Sequence, residues 1–165
     1  MEAELGHAVP IAEVEDVLVS TFGKVFESEV AAAEPGLQTV SVVVHRNNFI
    51  LALQRTAARG SFWQPVTGRI EVGESPASAA QRELLEETGL TSKVRPLDYV
   101  HAFAQRETQP PRLIRETAFA VEAPVDFTPR LDPAEHRQLE WVEAHEAIAR
   151  FPFEGLKEAV RLALE

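Results

Sequence analysis

The apolar positions divide the chain into segments with different periods. Between residues 12 and 33, Val14, Val17, Leu18, Phe22, Val25, Phe26 and Val30 recur at intervals of three and four, which predicts an N-terminal helix. Gly23 and the β-branched content of VEDVLVS keep a strand reading open there. Glu34-Pro35-Gly36 then interrupts the chain. Two β-rich runs follow, Thr39 to Val44 and Phe49 to Leu53, separated by the turn-prone His45-Arg46-Asn47-Asn48, and they predict a hairpin. Arg55 to Ser61 has the character of a loop. Phe62 to Thr67 leads into Gly68 to Gly73, where alternating Ile70 and Val72 fit a short strand or a loop. Ser75-Pro76 has the form of a helix start, serine as N-cap and proline where its missing N–H costs nothing, and Gly89 fits the left-handed position just past the other end. Strands are expected at Val94 to Ala104 and Ile114 to Val121, on either side of a polar loop from Gln105 to Pro111. After the apolar segment Leu139 to Val142, the spacing of Leu156, Ala159, Val160 and Leu164 predicts a C-terminal helix over Phe153 to Leu164. This mixture of strands and helices, with no internal repeat and no separating linker, indicates an α/β protein.

Composition narrows what such a fold can do. Of 165 residues, 45% are hydrophobic and 25% charged, so a folded, soluble domain is expected. Lys plus Arg number 16 against 26 for Asp plus Glu, a net charge of −10 that repels nucleic-acid backbones and anionic membrane surfaces. Neither is expected as a partner. The chain has no cysteine, which excludes disulfides, thiol nucleophiles and thiolate metal sites. The opening MEAELGHAVP lacks the basic and apolar regions of a secretion signal, and no run approaches the roughly 18 apolar residues of a membrane span. A cytoplasmic location is the expectation.

Charge placement on the Ser75 helix is where chemistry enters. At about 100° per residue, Glu83, Glu86 and Glu87 fall within one arc, and Ala77, Ala80 and Leu84 occupy a separate face. Three carboxylates near a helix C-terminus oppose the macrodipole, and Glu83 with Glu87 is a like-charge i,i+4 pair. A solvated acidic face is the plain explanation. A bound divalent cation would relieve the repulsion, and oxygen-only ligands suit magnesium, manganese or calcium.

The flanking residues favour the cation. Gly68, five residues, Glu74, seven residues, then Arg82-Glu83-Leu84-Leu85-Glu86-Glu87-Thr88-Gly89-Leu90 match every fixed position of the Nudix box, G-x5-E-x7-R-E-U-x-E-E-x-G-U. The chain therefore resembles the Nudix hydrolases. That resemblance implies a mixed β-sheet sandwiched between helices, with the box forming a loop, a helix and a second loop. It also implies cleavage of a nucleoside diphosphate linked to another group, with Mg2+ or Mn2+ as cofactor. Glu83, Glu86 and Glu87 correspond to the metal-binding carboxylates, Arg82 to the residue that orients them, and Glu74 to a position that is usually structural. Gly68 and Gly89 are read as backbone-geometry positions.

Beyond the box, Leu51-Ala52-Leu53-Gln54-Arg55 and Phe62-Trp63-Gln64-Pro65-Val66-Thr67-Gly68 are similar to the branch that cleaves dATP and dihydroneopterin triphosphate. Asp132-Pro133-Ala134-Glu135-His136, followed by Trp141, is similar to that branch's T-E-H segment, with Ala134 in place of threonine. The match implies Glu135 as a fourth metal ligand. It also implies substrate contacts from Arg55, Trp63, Thr67 and Phe153, with Arg112 and Arg115 as further candidates for outer phosphates. Core packing is the competing explanation for Trp63, Thr67 and Phe153, and a surface ion pair for Arg55.

The similarity runs from about residue 38, so residues 38–165 are expected to form the Nudix domain and residues 1–37 a helical N-terminal extension that could support a homodimer. A small nucleotide or nucleotide-like polyphosphate is the implied substrate, cleaved to a monophosphate and pyrophosphate. Diadenosine polyphosphates, ADP-ribose-type substrates and a catalytically silent nucleotide-binding module are the alternatives.

Overall fold

In a computed structural model of the chain, residues 36–105 and 112–165 are described. The predicted N-terminal helix and all but the first residue of the Gln105 to Pro111 loop lie outside them. The unit formed by residues 36–165 is described by itself.

Strand β1, Leu37–Arg46, contains a run from Val40 to Val44 that is buried throughout, as expected of a strand covered on both faces. A turn at Asn47, with φ 52°, leads into β2, Phe49–Arg55. The predicted hairpin is present, but its strands pair only at its base, His45 with Ile50 and Arg46 with Phe49. Beyond that point the two strands part. The gap is filled by two short strands, β3 (Trp63–Gln64) pairing with β2 and β4 (Val66–Arg69) pairing with β1. The stretch left open between strand and loop is thus a strand as far as Arg69 and irregular after it. On the other edge of β1 lies β6, Arg112–Glu122, in parallel register from Leu37 opposite Ile114 to His45 opposite Glu122. The outer partner of β6 is β5, Arg95–Gln105, antiparallel, with an irregularity between Pro96 and Val100 where Asp98 has φ 49°. The free edge of β2 takes β7, His136–Glu143, along its length.

Helices cover both faces of this mixed sheet. Helix α1, Pro76–Thr88, starts as predicted, with the Ser75 hydroxyl accepting from the Ser78 N–H at 3.1 Å, and ends at Gly89, φ 76°, whose N–H donates to the Leu85 carbonyl at 2.9 Å. It packs Ala79, Ala80 and Leu84 against Val40, Val42, Leu51 and Leu53. Ala77, expected on the core face, is exposed, and Ala79 takes its place. Helices α2, Ala144–Arg150, and α3, Glu154–Ala163, cover the other face with Ala147, Leu156 and Val160 against Val43, Ile50, Ala118 and Ala120. The architecture is the expected α/β sandwich. Among the described residues, no helix is long and apolar enough to cross a membrane.

Candidate active site

The last turns of α1 are organised by Arg82. Its guanidinium meets the Glu74 carboxylate with two donors, Nε at 3.1 Å and Nη2 at 3.0 Å, and Nη2 also reaches the Arg69 carbonyl at 2.8 Å. Nη1 donates to Glu83 at 2.7 Å and to Glu86 at 3.2 Å. A planar fork is the side chain that can satisfy several acceptors in fixed directions. The hydrogen bonds from Arg82 and from the Glu71 N–H hold the Glu74 carboxyl below its ordinary range. Arg82 thus clamps the loop before α1 to the helix that carries the glutamates, and Glu74 is its bidentate anchor.

Glu83 owes its position to Gly68. A Cβ built on Gly68 would lie 1.8 Å from Glu83 Cδ and 2.0 Å from Oε1, so the bare backbone of β4 leaves room for this carboxylate. Burial raises the Glu83 carboxyl above its usual range, with Arg82 pulling it back and Glu86 and Glu135 pushing it up. Glu86 is the exposed member of the set. Glu87 is the opposite case, 2% exposed, with neither carboxylate oxygen meeting a hydrogen-bond donor among the described residues. Burial is the main reason its pKa is pushed up to about 9; Glu83 and Glu135 add to the rise, and Arg55 and the nearby Thr67 N–H offset it only weakly.

Glu135 sits in the turn before β7, tied to the loop after β2 by the Thr56 N–H donating to its carbonyl at 3.0 Å. Its carboxylate is paired with Arg59 at 3.0 Å and lies 3.8 Å from Arg55. The neighbouring His136 is fully buried, with Nε2 4.0 Å from Glu87, and burial followed by Arg55 lowers its pKa to about 4, so it is neutral at pH 7.

Among the described residues, no three carboxylate or imidazole groups converge at metal-ligand spacing. Arg82 and Arg59 hold Glu83, Glu86 and Glu135 as ion-pair partners. The donor set nevertheless suits a hard divalent cation: a buried carboxylate with no partner, and two further carboxylates close enough to raise its pKa.

A cavity of about 930 Å3 lies over this group, and Glu83, Glu135, Arg55, Thr67 and Phe153 all line it. Thr67 accepts from Gln64 Nε2 at 2.7 Å, and Phe153 makes an edge-to-face contact with Phe62 at 5.4 Å. Trp63 is not brought to the cavity. It packs against the α2 and α3 core with the Arg150 guanidinium 5.1 Å from its ring centre, while its neighbour Phe62 takes a place in the lining. Arg112 and Arg115 do not line the cavity either. Sequence reasoning passed over Arg59, Glu116, His101 and Phe103, which do. For Glu116 a signal existed: it alternates with Ile114 and Ala118 on the inward side of β6.

The profile of the NUDIX domain family matches residues 37–162. The chain belongs to that family. Among curated relatives of this NUDIX chain, the octanoyltransferase of Myxococcus xanthus is 48% identical over 167 residues, covering 99% of the chain and 46% of the relative. The chain therefore spans about half the length of that protein, and the match takes in nearly all of the chain. The CTP pyrophosphohydrolase of Escherichia coli K12 is 34% identical over 114 residues, 68% of this chain and 79% of that one. In structure, the E. coli dihydroneopterin triphosphate pyrophosphohydrolase aligns over 75% of this chain and 92% of its own with a TM-score of 0.67 and 23% identity, a likeness of fold.

Proposed function

We propose that this chain is a pyrophosphohydrolase dependent on Mg2+ or Mn2+, converting a nucleoside triphosphate or a nucleotide-like triphosphate to a monophosphate and pyrophosphate. The observation that carries this reading is Glu87, a buried carboxylate with no hydrogen-bond partner among the described residues, flanked electrostatically by Glu83 and Glu135 beside a cavity lined by arginines. A carboxylate in that position is costly unless a cation satisfies it. Glu83, Glu86, Glu87 and Glu135 would hold the metal. When bound, it neutralises phosphate oxygens and lowers the pKa of water.

The chain's own groups supply the remainder. Arg55 and Arg59, held by Glu135 at 3.8 Å and 3.0 Å, are cations of the cavity wall available to the polyphosphate. Arg82 fixes the orientation of Glu83 and Glu86. Water attacks a phosphorus atom, the anhydride P–O bond breaks, pyrophosphate leaves with the electron pair, and one carboxylate of the set takes the proton from the attacking water. A net charge of −10 makes the cation and the arginines of the cavity wall the means by which a polyanion is admitted.

The CTP pyrophosphohydrolase relative supports the reaction class, and the dihydroneopterin triphosphate enzyme supports the fold on which it would run. The transferase activity named for the M. xanthus relative is not carried over. The chain matches 46% of that protein, and the described cavity offers carboxylates and arginines, groups suited to phosphate rather than to an acyl nucleophile. Residues 38–165 form the hydrolase domain in this reading, with residues 1–37 as an extension and the cytoplasm as the site of action.

The test is a product assay with Mg2+ on dATP, dGTP, CTP, dihydroneopterin triphosphate, diadenosine tetraphosphate and ADP-ribose, with Glu87→Gln as control. Pyrophosphate released from a triphosphate by the parent and not by the variant is the expected result. Turnover confined to the last two compounds, or none with any, overturns the reading.

A further inference from the structure

The cavity wall holds a buried carboxyl that the hydrolytic chemistry does not use. Strand register places Arg69 opposite Thr39, Thr39 opposite Glu116, and Glu116 opposite His101, so these four residues form one row across β4, β1, β6 and β5 and share a face of the sheet. All four line the cavity. Along β6 the same face carries Ile114, Ala118 and Ala120, so Glu116 occupies a position that the period of two assigns to an apolar side chain. It is 8% exposed, and burial pushes its pKa up to about 7. The Ser41 hydroxyl beside it lowers that value somewhat, and the buried hydroxyl of Thr39 completes no hydrogen bond among the described residues. Buried polar groups left without partners are costly and rare, and an unpartnered hydroxyl next to a buried carboxyl in one cavity wall indicates a ligand that satisfies them.

The surrounding walls specify the ligand's shape. His101 and Phe103 stack at 5.6 Å with planes 23° apart, Phe103 and Phe153 at 6.4 Å with planes 11° apart. Gly155 at the start of α3 makes room for this ladder, since a Cβ there would lie 2.4 Å from the His101 ring. Flat apolar surfaces with hydrogen-bonding groups at one side are the complement of a planar heterocycle with a polar edge. Along the row, Arg69 is two strands from Glu116, a distance of about 10 Å at the usual strand spacing, and Arg69 adjoins the Gly68 position that houses Glu83. A ring held at Glu116 therefore leaves its phosphates to extend toward the glutamates.

We propose that Glu116, with Thr39 beside it, is the specificity-determining group for the substrate's ring and selects rings whose edge presents an N–H next to an exocyclic amino group, the edge shared by guanine and pterin. The proposal rests on reading the cavity as a nucleotide pyrophosphohydrolase site. An ionised carboxylate offers two acceptors and no donor. The guanine or pterin edge meets both oxygens with donors. Adenine and cytosine place a ring nitrogen lone pair beside the amino group and turn it against the second oxygen.

The experiment is equilibrium binding by calorimetry at pH 8, without added metal, of guanosine monophosphate, a 2-amino-4-oxopteridine, AMP and CMP to the full chain and to Glu116→Gln. The parent is expected to bind the first two about tenfold or more tightly than the last two, and the variant to lose roughly 10–100-fold for the first two while holding or gaining affinity for the others, since an amide offers one acceptor and one donor. Equal affinity for all four in the parent, a preference for AMP or CMP, or an equal loss for all four in the variant overturns the proposal. Thr39→Val removes only a hydroxyl and should narrow the preference severalfold; it decides the matter if Glu116→Gln fails to fold. Ring preference without hydrolysis of any triphosphate removes the reaction assigned above and leaves this assignment standing, whereas hydrolysis without ring preference does the reverse.

Discussion

Gly68→Ala isolates what the box glycine does. The added methyl would sit 1.8 Å from Glu83 Cδ, where ordinary contact begins at 3.4 Å, so the carboxyl must retreat by about 1.6 Å. That displacement breaks the 2.7 Å bond from Arg82 and moves the carboxylate off the position β4 leaves for it. Misplacing a reacting group by about 1 Å costs on the order of 100-fold in rate, so turnover should fall by roughly 100-fold or more, about 2.7 kcal/mol in the barrier. Stability should respond differently. Gly68 is not among the positive-φ positions, so alanine meets no backbone strain there, and its lower unfolded-state entropy contributes about 0.4–1 kcal/mol against the loss of a partly exposed ion pair. The melting temperature is therefore expected to stay within about 3 °C of the parent. Pyrophosphate release over a magnesium titration, measured beside thermal melts, separates the two effects. A variant with turnover within twofold of the parent and an unchanged metal requirement would refute the reasoning. The double variant with Glu83→Asp should lose less than the two single losses combined, because both substitutions displace the same carboxylate.

Other perturbations test neighbouring parts of the argument. Glu87→Gln keeps shape and removes charge, so turnover should drop on the order of 100–1,000-fold with no fall in melting temperature; a variant that unfolds instead would assign Glu87 a structural role. Glu116 is raised by burial to about 7 from an ordinary 4.5, so the native state keeps its proton longer than the unfolded chain. Its contribution to stability is complete below about pH 4.5 and is lost as pH rises to about 7, at most about 3 kcal/mol. The melting temperature of Glu116→Gln relative to the parent should accordingly rise between pH 5 and pH 8, and a constant difference would contradict the burial argument. Arg82→Lys replaces a fork with a point charge that cannot serve Glu74, Glu83 and the Arg69 carbonyl together, so turnover should fall about tenfold or more; retention of full activity would show that charge alone suffices.

Much of the site is legible in the sequence because its geometry is local. The cap at Ser75, the left-handed stop at Gly89 and the Arg82 to Glu87 spacing all lie within one helix, where the period of 3.6 fixes relative directions. The rotation of that helix against the sheet is not local. The sequence places Glu83, Glu86 and Glu87 on one arc, and packing separates them, burying Glu87 and leaving Glu86 in solvent. An apolar stripe of two alanines and a leucine is too weak a marker to fix that rotation from spacing alone. Trp63 and Phe62 show the same limit at the entry to β3, since successive residues of an extended chain point to opposite sides and either could have been the cavity residue. Glu135 and Arg59 meet across a long stretch of sequence. Their pairing depends on the turn before β7 closing onto the loop after β2, which no local pattern encodes.

The short strands β3 and β4, wedged where β1 and β2 part, also determine what lengths of chain this site tolerates. From Gln64 to Arg69 each residue's direction is set by pairing to a different neighbour, β2 on one side of Pro65 and β1 on the other. One residue added or removed at Pro65 would reverse the alternation of β4 relative to β1. Thr67 would then turn toward α1, and a side chain would enter the space that Gly68 leaves for Glu83. In a library, variants one residue longer or shorter in this segment should be missing from the active pool.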